Sequence, residues 1–360
     1  MKRKIQIAVS VLVAGVLLWF LFKDIEWSEL FAALKSISIV WLLVAQIPLW
    51  LSFLTRVQRW SYIVRADAQA SFRHMFSATQ IGFLANFTLP LRAGEIIRPL
   101  VLNRLTGIPF SKGLALVALD RVTDLIGLIT IMLVSLVLYR PKSDLIIPPE
   151  FLPPGIAAFT LPKDAMQNGV MVMLFLVFIL IGGLVLLYLK RSLALRISDA
   201  ICGLFSEKLK SLAHGMLESF AEGLHVFRSA RDMILSITWS LITWACFLLI
   251  LVALLKAFHL QVTWGSPFII ETVITIAIAI PISVGFIGQF QAAVILGLLI
   301  CYPEVQPAEA LAMGLLFHFI NLLGVVIAGL LCLSMEGLNL FELESASQHE
   351  HGDLDHRIVE

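Results

Sequence analysis

Six charged residues set inside hydrocarbon constrain this chain more than any other feature. Arg92, Glu95 and Arg98 fall within Leu89 to Arg104, LPLRAGEIIRPLVLNR, and Asp120, Arg121 and Asp124 within Leu119 to Asp124, LDRVTD. Long apolar runs flank both stretches. A charge at the centre of a bilayer costs on the order of 2.5–3.5 kcal/mol on insertion scales. Such residues persist when they are paired, line a wet cavity or do a job. The chain is 59% hydrophobic and only 14% charged, against about 25% charged in soluble domains. A soluble fold is therefore excluded in favour of an all-α polytopic membrane protein. The net charge of +1 selects no partner, and no nucleic acid is expected. Cys202, Cys246, Cys301 and Cys332 have no metal or disulfide spacing and read as small apolar residues.

Taken in order, Ile5–Phe22 follows the basic start MKRK and reads as an uncleaved first span with a cytoplasmic N-terminus. Lys23–Ile37 is amphipathic and suits the interface. Ser38–Leu54 is a second span, after which Arg56, Arg59, Arg65 and Arg73 read as a cytoplasmic loop. The apolar stretch from Met75 is short and is interrupted at Pro90, Gly94 and Pro99; with basic flanks on both sides, residues 75–100 are expected to form a re-entrant hairpin entered from the cytoplasm. Gly113–Leu138 is the third span, and residues 139–168 form a proline-rich outer loop. Gly169–Leu189 is the fourth span, residues 192–232 carry cytoplasmic amphipathic helices, and Met233–Leu255 is the fifth. Residues 267–300 are broken at Ile280 to Gln291 and read as a second hairpin entered from outside. Leu311–Leu333 is the sixth span, and residues 336–360 a disordered cytoplasmic tail. On this topology twenty Lys and Arg face the cytoplasm and six face out, which places both termini inside.

Residues 1–138 and 169–335 then each read span, span, hairpin, span. The hairpin tips share an apolar-Pro-apolar-x-x-Gly pattern, Leu89-Pro90-Leu91-Arg92-Ala93-Gly94 and Ile280-Pro281-Ile282-Ser283-Val284-Gly285. The first half begins inside and the second outside, so the expected architecture is about six full spans plus two re-entrant hairpins in an inverted repeat. Paired broken segments in the two halves point to a substrate site near the midplane.

The candidate substrate-binding residues are Arg92, Glu95, Arg98, Asp120, Arg121 and Asp124. Helical spacing puts Glu95 beside Arg92 and Arg98, and puts Asp120 and Asp124 on one face, where they repel unless a cation intervenes. Arg92 or Arg98 is expected to approach that pair, with Arg121 meeting Glu95 or a ligand. The planar fork of arginine suits phosphate. The competing reading is an ion-pair cluster that locks the hairpin to the third span. Secondary candidates are Asn86, Gln289, Gln291, His318 and Asn321, with Glu271 a further polar residue of the second half. No metal site, cofactor or recognisable catalytic motif is present in the sequence.

The run N-x-x-L-P-x-R-x-G-E-x-x-R from Asn86 to Arg98, followed by the acidic-Arg-x-x-Asp of Asp120 to Asp124, resembles the lysylphosphatidylglycerol synthase transmembrane region, over roughly residues 5–335. The resemblance implies a flippase-like, lipid-handling protein with two oppositely oriented hairpins; in the full-length synthases this region moves aminoacylated phosphatidylglycerol between leaflets. The chain departs from the family's second-half pattern, P-x-S-P-G-G-x-G-x-x-E, at Val284, Phe286 and Gln291. No soluble aminoacyl-transferase domain is in the sequence, so lysyl transfer from tRNA is not expected.

The leading expectation is a transporter of the bacterial inner membrane that binds or translocates a phospholipid or a lipid-linked anionic headgroup. One alternative is an enzyme acting on a polyprenyl-phosphate or phospholipid substrate, such as a glycosyl or acyl transferase, with Asp120 and Asp124 on a divalent metal. The other is a non-transporting scaffold or regulator of lipid synthesis. Expected partners are membrane lipids (phospholipid or polyprenyl-phosphate), a second copy in a homodimer, and a separately encoded lipid-modifying enzyme.

Overall fold

A computed structural model describes residues 2–23, 25–65, 68–89, 92–139, 144–147, 149, 158–204, 206–207, 210–211, 214–215, 217–218, 230–279 and 282–346. The fold is helical throughout, apart from a small antiparallel strand pair. Helix α1 spans Lys2–Phe22, α2 Trp27–Lys35, α3 Ile39–Arg65, α4 Phe72–Thr88, α5 Gly94–Thr106 and α6 Phe110–Leu138. Strands β1 (Leu145–Ile147) and β2 (Phe159–Leu161) pair in the proline-rich stretch, with Leu145 opposite Leu161. Helix α7 spans Lys163–Leu189, α8 Arg191–Gly203, α9 Ala230–Ala257, α10 Ser266–Ile278, α11 Gln289–Cys301 and α12 Pro307–Glu336.

Helix α3 illustrates the physics of the whole. Its outer side exposes Ile39, Val40, Leu43, Ile47, Leu51 and Leu54, while Ser52, Thr55, Arg59 and Ser61 are buried. An apolar exterior over a polar interior is the arrangement that a hydrocarbon solvent selects. Among the described residues, five helical segments have the length and composition to cross a membrane: Ile39–Arg65, Phe110–Leu138, Arg231–Ala257, Val284–Cys301 and Pro307–Glu336. The chain is a multi-pass membrane protein. Helices α1 and α7 coincide with the other two expected spans.

Between these long helices lie two antiparallel helix pairs. Helices α4 and α5 pack closely, and so do α10 and α11. Helices α5, α10 and α11 have 13 residues each. That is about 20 Å of helix, short of a hydrocarbon core of about 30 Å. The stretch 284–301 qualifies as a span by composition, yet its first turn is a 3-10 turn, Val284–Phe286, with positive-φ Gly285 inside it and positive-φ Gly288 between it and α11. The two pairs meet at their tips. In the first pair Gly94 crosses Gly82 so closely that a Cβ on Gly94 would collide with the Gly82 carbonyl and the Asn86 side chain. The second pair has its own close approach, where a Cβ on Gly297 would lie 3.0 Å from the Ile270 Cα. Helices α3 and α9, one from each half of the chain, share the most extensive helix–helix contact and a Thr243–Thr55 hydrogen bond of 2.9 Å.

Four expectations need correction or narrowing. The second span does not end at Leu54: α3 continues through Arg65, so Arg56 and Arg59 are helical and inside the protein rather than in a loop. Their side chains find aromatic and carboxylate partners, which removes the reason for them to seek water. Pro99 lies inside α5 and does not end it: the helix runs on to Thr106, with the Glu95 carbonyl giving up its i+4 donor. The first helix pair accordingly occupies 72–106, where the hairpin was expected at 75–100. The tail begins with a helical stretch at 340–346 that buries Leu343. Pro90, Leu91, Ile280, Pro281, the tail beyond 346 and most of 205–229 lie outside the described residues.

Candidate functional site

The charged cluster is assembled by three helices. Asp120, on α6, is nearly inaccessible at 2% exposure and receives Arg59 Nε from α3 at 2.8 Å and Arg98 Nη1 from α5 at 2.7 Å. Arg59 also pairs with Asp124. The cation that lies between the two aspartates is therefore Arg59, which the sequence reading had placed in a loop. Arg98 approaches Asp120 as expected, and its guanidinium carbon lies 3.7 Å from the Trp60 ring centroid. Its Nε and Nη2 have no hydrogen-bond partner, so the ring face supplies the remaining stabilisation. Arg121 meets Glu95 in a two-pronged contact of 2.6 and 3.1 Å, and also reaches Asp124 at 3.7 Å. Glu95 thus pairs across helices and not with its neighbours Arg92 and Arg98.

Arg92 does something different. Its backbone is in the left-handed region at φ 53°. This aims its guanidinium across to the second pair, where Nη2 donates to the Ile278 carbonyl at 2.6 Å and the group lies over the Phe286 ring at 5.7 Å. Ile278 is the last residue of α10, where unsatisfied carbonyls concentrate partial negative charge. Phe286 itself has φ 59° at a position where the family pattern has glycine. Left-handed backbone costs an L-residue roughly 1–2 kcal/mol, and the ring packs edge-on against Phe87 at 5.9 Å in partial return.

Each pair is tied at its tip by an amide. In the first, Asn86 Oδ1 accepts from the Gly94 N–H at 2.9 Å. In the second, Gln289 Nε2 donates to the Ala277 carbonyl at 2.5 Å and its Oε1 accepts from Ile282 N–H at 3.3 Å. Gln291 stands where the family pattern has Glu. Its Oε1 accepts from Gly288 N–H at 2.8 Å and its Nε2 meets His318 Nδ1 at 2.8 Å. An amide serves both contacts at once, and no carboxylate is required there.

Between the tips and the long helices is a cavity of about 460 Å³. Arg56, Arg92, Glu95, Arg121, Asp124 and Glu271 give it charge, and Asn86, His318 and Asn321 give it neutral polarity. Phe53, Phe83, Phe87, Trp244, Phe247, Phe290 and Phe317 supply aromatic walls. Of the six primary and five secondary candidates, Arg98 and Asp120 lie behind this wall, buried, while Gln289 and Gln291 hold the second pair together and do not line the space. Asn321 also donates to the Phe317 carbonyl within its own helix at 2.9 Å. Arg56 and Arg59 are the residues that the sequence reading missed as site residues. The available signal was the unbroken helical run from Leu49 to Val64, whose Val57, Trp60, Ile63 and Val64 keep a buried stripe beyond the expected end of the span.

A family profile described as Lysylphosphatidylglycerol synthase TM region matches residues 7–329 of this chain. Among curated proteins, Glycosyltransferase AglD of Haloferax volcanii is 25% identical over 342 residues, covering 91% of this chain and 54% of its own length. The chain thus spans about half the length of that relative.

Proposed function

Because the chain belongs to the lysylphosphatidylglycerol synthase transmembrane-region family, we propose that it is a flippase-like transporter that takes a phospholipid or lipid-linked anionic headgroup into the central cavity and passes it across the membrane. The observation that carries this reading is the charged, aromatic-walled cavity at the meeting point of two half-length helix pairs, enclosed by a protein with an apolar exterior. A headgroup is polar and needs such a path, while its acyl tails stay in hydrocarbon.

On this reading the two helix pairs are re-entrant hairpins of opposite orientation, and residues 1–138 and 169–335 are inverted repeats. Their tip-to-tip contact and the α3–α9 pairing support that arrangement. Both termini lie in the cytoplasm of a bacterial inner-membrane protein. Arg92, Glu95, Arg121 and Asp124 face the headgroup, and Arg98 and Asp120 hold them in place. The natural partners are membrane lipids, a second copy of the chain and a separately encoded lipid-modifying enzyme. In proteoliposomes Arg92→Ala and Glu95→Gln are expected to abolish leaflet exchange of labelled phospholipid while the protein still accumulates. Unchanged exchange in both variants would sink the transport reading.

The name of the relative favours a second reading, glycosyl transfer. Asp120 and Asp124 do not suit the metal role considered for it, because Arg59 and Arg98 already neutralise them. Product formation by the purified chain from a nucleotide sugar and a lipid acceptor would bring this reading forward.

A further inference from the structure

The cluster and its cavity hold five guanidiniums, Arg56, Arg59, Arg92, Arg98 and Arg121, against four carboxylates, Glu95, Asp120, Asp124 and Glu271. Positive charge is in excess even if every carboxylate is ionised. The excess is not spread evenly. Arg59 and Arg98 are consumed by the aspartates, and Arg121 by Glu95 and Asp124. Arg92 spends a donor on a backbone carbonyl.

Arg56 differs from all of these. Among the described residues it has neither a hydrogen bond nor an ion pair. Its guanidinium carbon sits 4.8 Å from the Phe83 ring centroid and 4.7 Å from that of Phe247. Phe83 comes from α4 and Phe247 from α9, so two helices hold one cation between two π faces. Rings bind the faces of a guanidinium and leave its N–H edge unspent. That edge belongs to a residue that lines the cavity. Asp124 and Glu271 share the cavity with Arg56 and act on it at a distance, but neither makes an ion pair with it, so its N–H edge stays open to an anion that can come closer.

We infer that Arg56 is the principal anion contact of the cavity, and that the group it takes is a phosphate, either the phosphodiester of a lipid headgroup or free phosphate. Two parallel N–H···O bonds from the guanidinium edge to two phosphate oxygens match the fork geometry. The rings of Phe83 and Phe247 fix the plane of the fork before the anion arrives. The inference rests on reading the cavity as a headgroup site, and it assigns the primary contact to Arg56 in place of the arginines of the hairpin motif.

The test is equilibrium binding to the full chain in maltoside micelles, with phosphatidylglycerol, inorganic phosphate and a phosphate-free galactosyl diacylglycerol as probes. Wild type is expected to bind phosphatidylglycerol and not the galactolipid. Arg56→Gln should weaken that binding at least tenfold, about 1.4 kcal/mol. Arg56→Lys, which keeps charge and loses the fork, should fall between them. Competition by inorganic phosphate at equal strength would make free phosphate the ligand; its failure to compete would make it the lipid. Equal binding by wild type and Arg56→Gln, or no selectivity for phosphate-bearing probes, overturns the inference. Should Arg56→Gln fail to fold, mass-spectrometric mapping of phenylglyoxal adducts on wild type replaces it: Arg56 is expected to be shielded by phosphatidylglycerol and not by the galactolipid, and equal labelling overturns the assignment. Failure of the two readings is separable. Leaflet exchange that is equal in wild type and Arg56→Gln removes Arg56 and leaves transport standing. Arg56-dependent binding with no exchange removes transport and leaves the anion site standing.

Discussion

The two helix pairs solve one problem with different chemistry. Each holds two short helices antiparallel inside a multi-pass membrane protein, where unsatisfied backbone groups are expensive. The first pair is fixed by charge. Arg98 and Glu95 on α5 reach Asp120 and Arg121 on α6, and Arg59 from α3 closes the network. The second pair is fixed by neutral amides, Gln289 across its own tip and Gln291 to His318. Only Glu271 brings a charge to the second pair's lining of the cavity. A charged lock is strong while complete and costly when one partner is lost. Amide ties are individually modest and fail gracefully. The first pair is therefore the charged wall of the cavity, and the second its more neutral counterpart.

Substitutions can break or sharpen that contrast, and the largest effect is expected at Asp120. Asp120→Ala leaves Arg59 and Arg98 buried with one shared partner gone, a loss of about 3–5 kcal/mol. Thermal unfolding in detergent should show it as failure to accumulate or a collapse of the transition temperature. A stability near wild type would mean that the lock is not charge-based. Next comes Gly94→Ala, whose Cβ meets the Gly82 backbone carbonyl as well as the Asn86 side chain. About 1–3 kcal/mol is expected, more than for Gly297→Ala in the second pair, and side-by-side melting curves would order the two. Gln289→Leu removes the tie to Ala277 and Ile282, and about 1–3 kcal/mol is expected for the groups left unmade. A loss as large as that of Asp120→Ala would erase the distinction between the pairs. Arg73→Ala, at the start of α4 and far from both tips, breaks only the contact to Glu336, in which the arginine is exposed. A pair with an exposed partner contributes about 0–1 kcal/mol, so this variant sets the floor against which the others are read.

Much of this contrast was legible in the residues. Pro90 with Gly94, and Pro281 with Gly285, announced two interrupted segments, and intramembrane Arg92, Glu95, Arg98, Asp120, Arg121 and Asp124 announced a cluster. The partnering was less accessible. Asp120 and Asp124 at i, i+4 demanded a cation, but nothing local said that it would come from 61 residues upstream, the separation of Arg59 and Asp120. Arg56 and Arg59 were hidden by a rule that is generally sound: basic residues at the end of an apolar run mark the cytoplasmic edge. Here the apolar stripe of α3 continues past them, and burial of Val57, Trp60, Ile63 and Val64 takes them inside. Gln291 was read by what it lacks, a carboxylate, whereas its amide already accepts from Gly288 and meets His318 without bringing a charge.

The contact from Arg92 to Ile278 has an unequal heritage built into it. The donor is a side chain, so any substitution at 92 that lacks a donor of similar reach deletes it. The acceptor is a main-chain carbonyl, which every amino acid at 278 supplies. A saturation library of the two positions should therefore be lopsided: position 92 intolerant, and position 278 open to any residue that fills the same apolar space. The tips stay coupled through mutational drift on one side only, and the first half of the chain carries the whole genetic burden of holding the second.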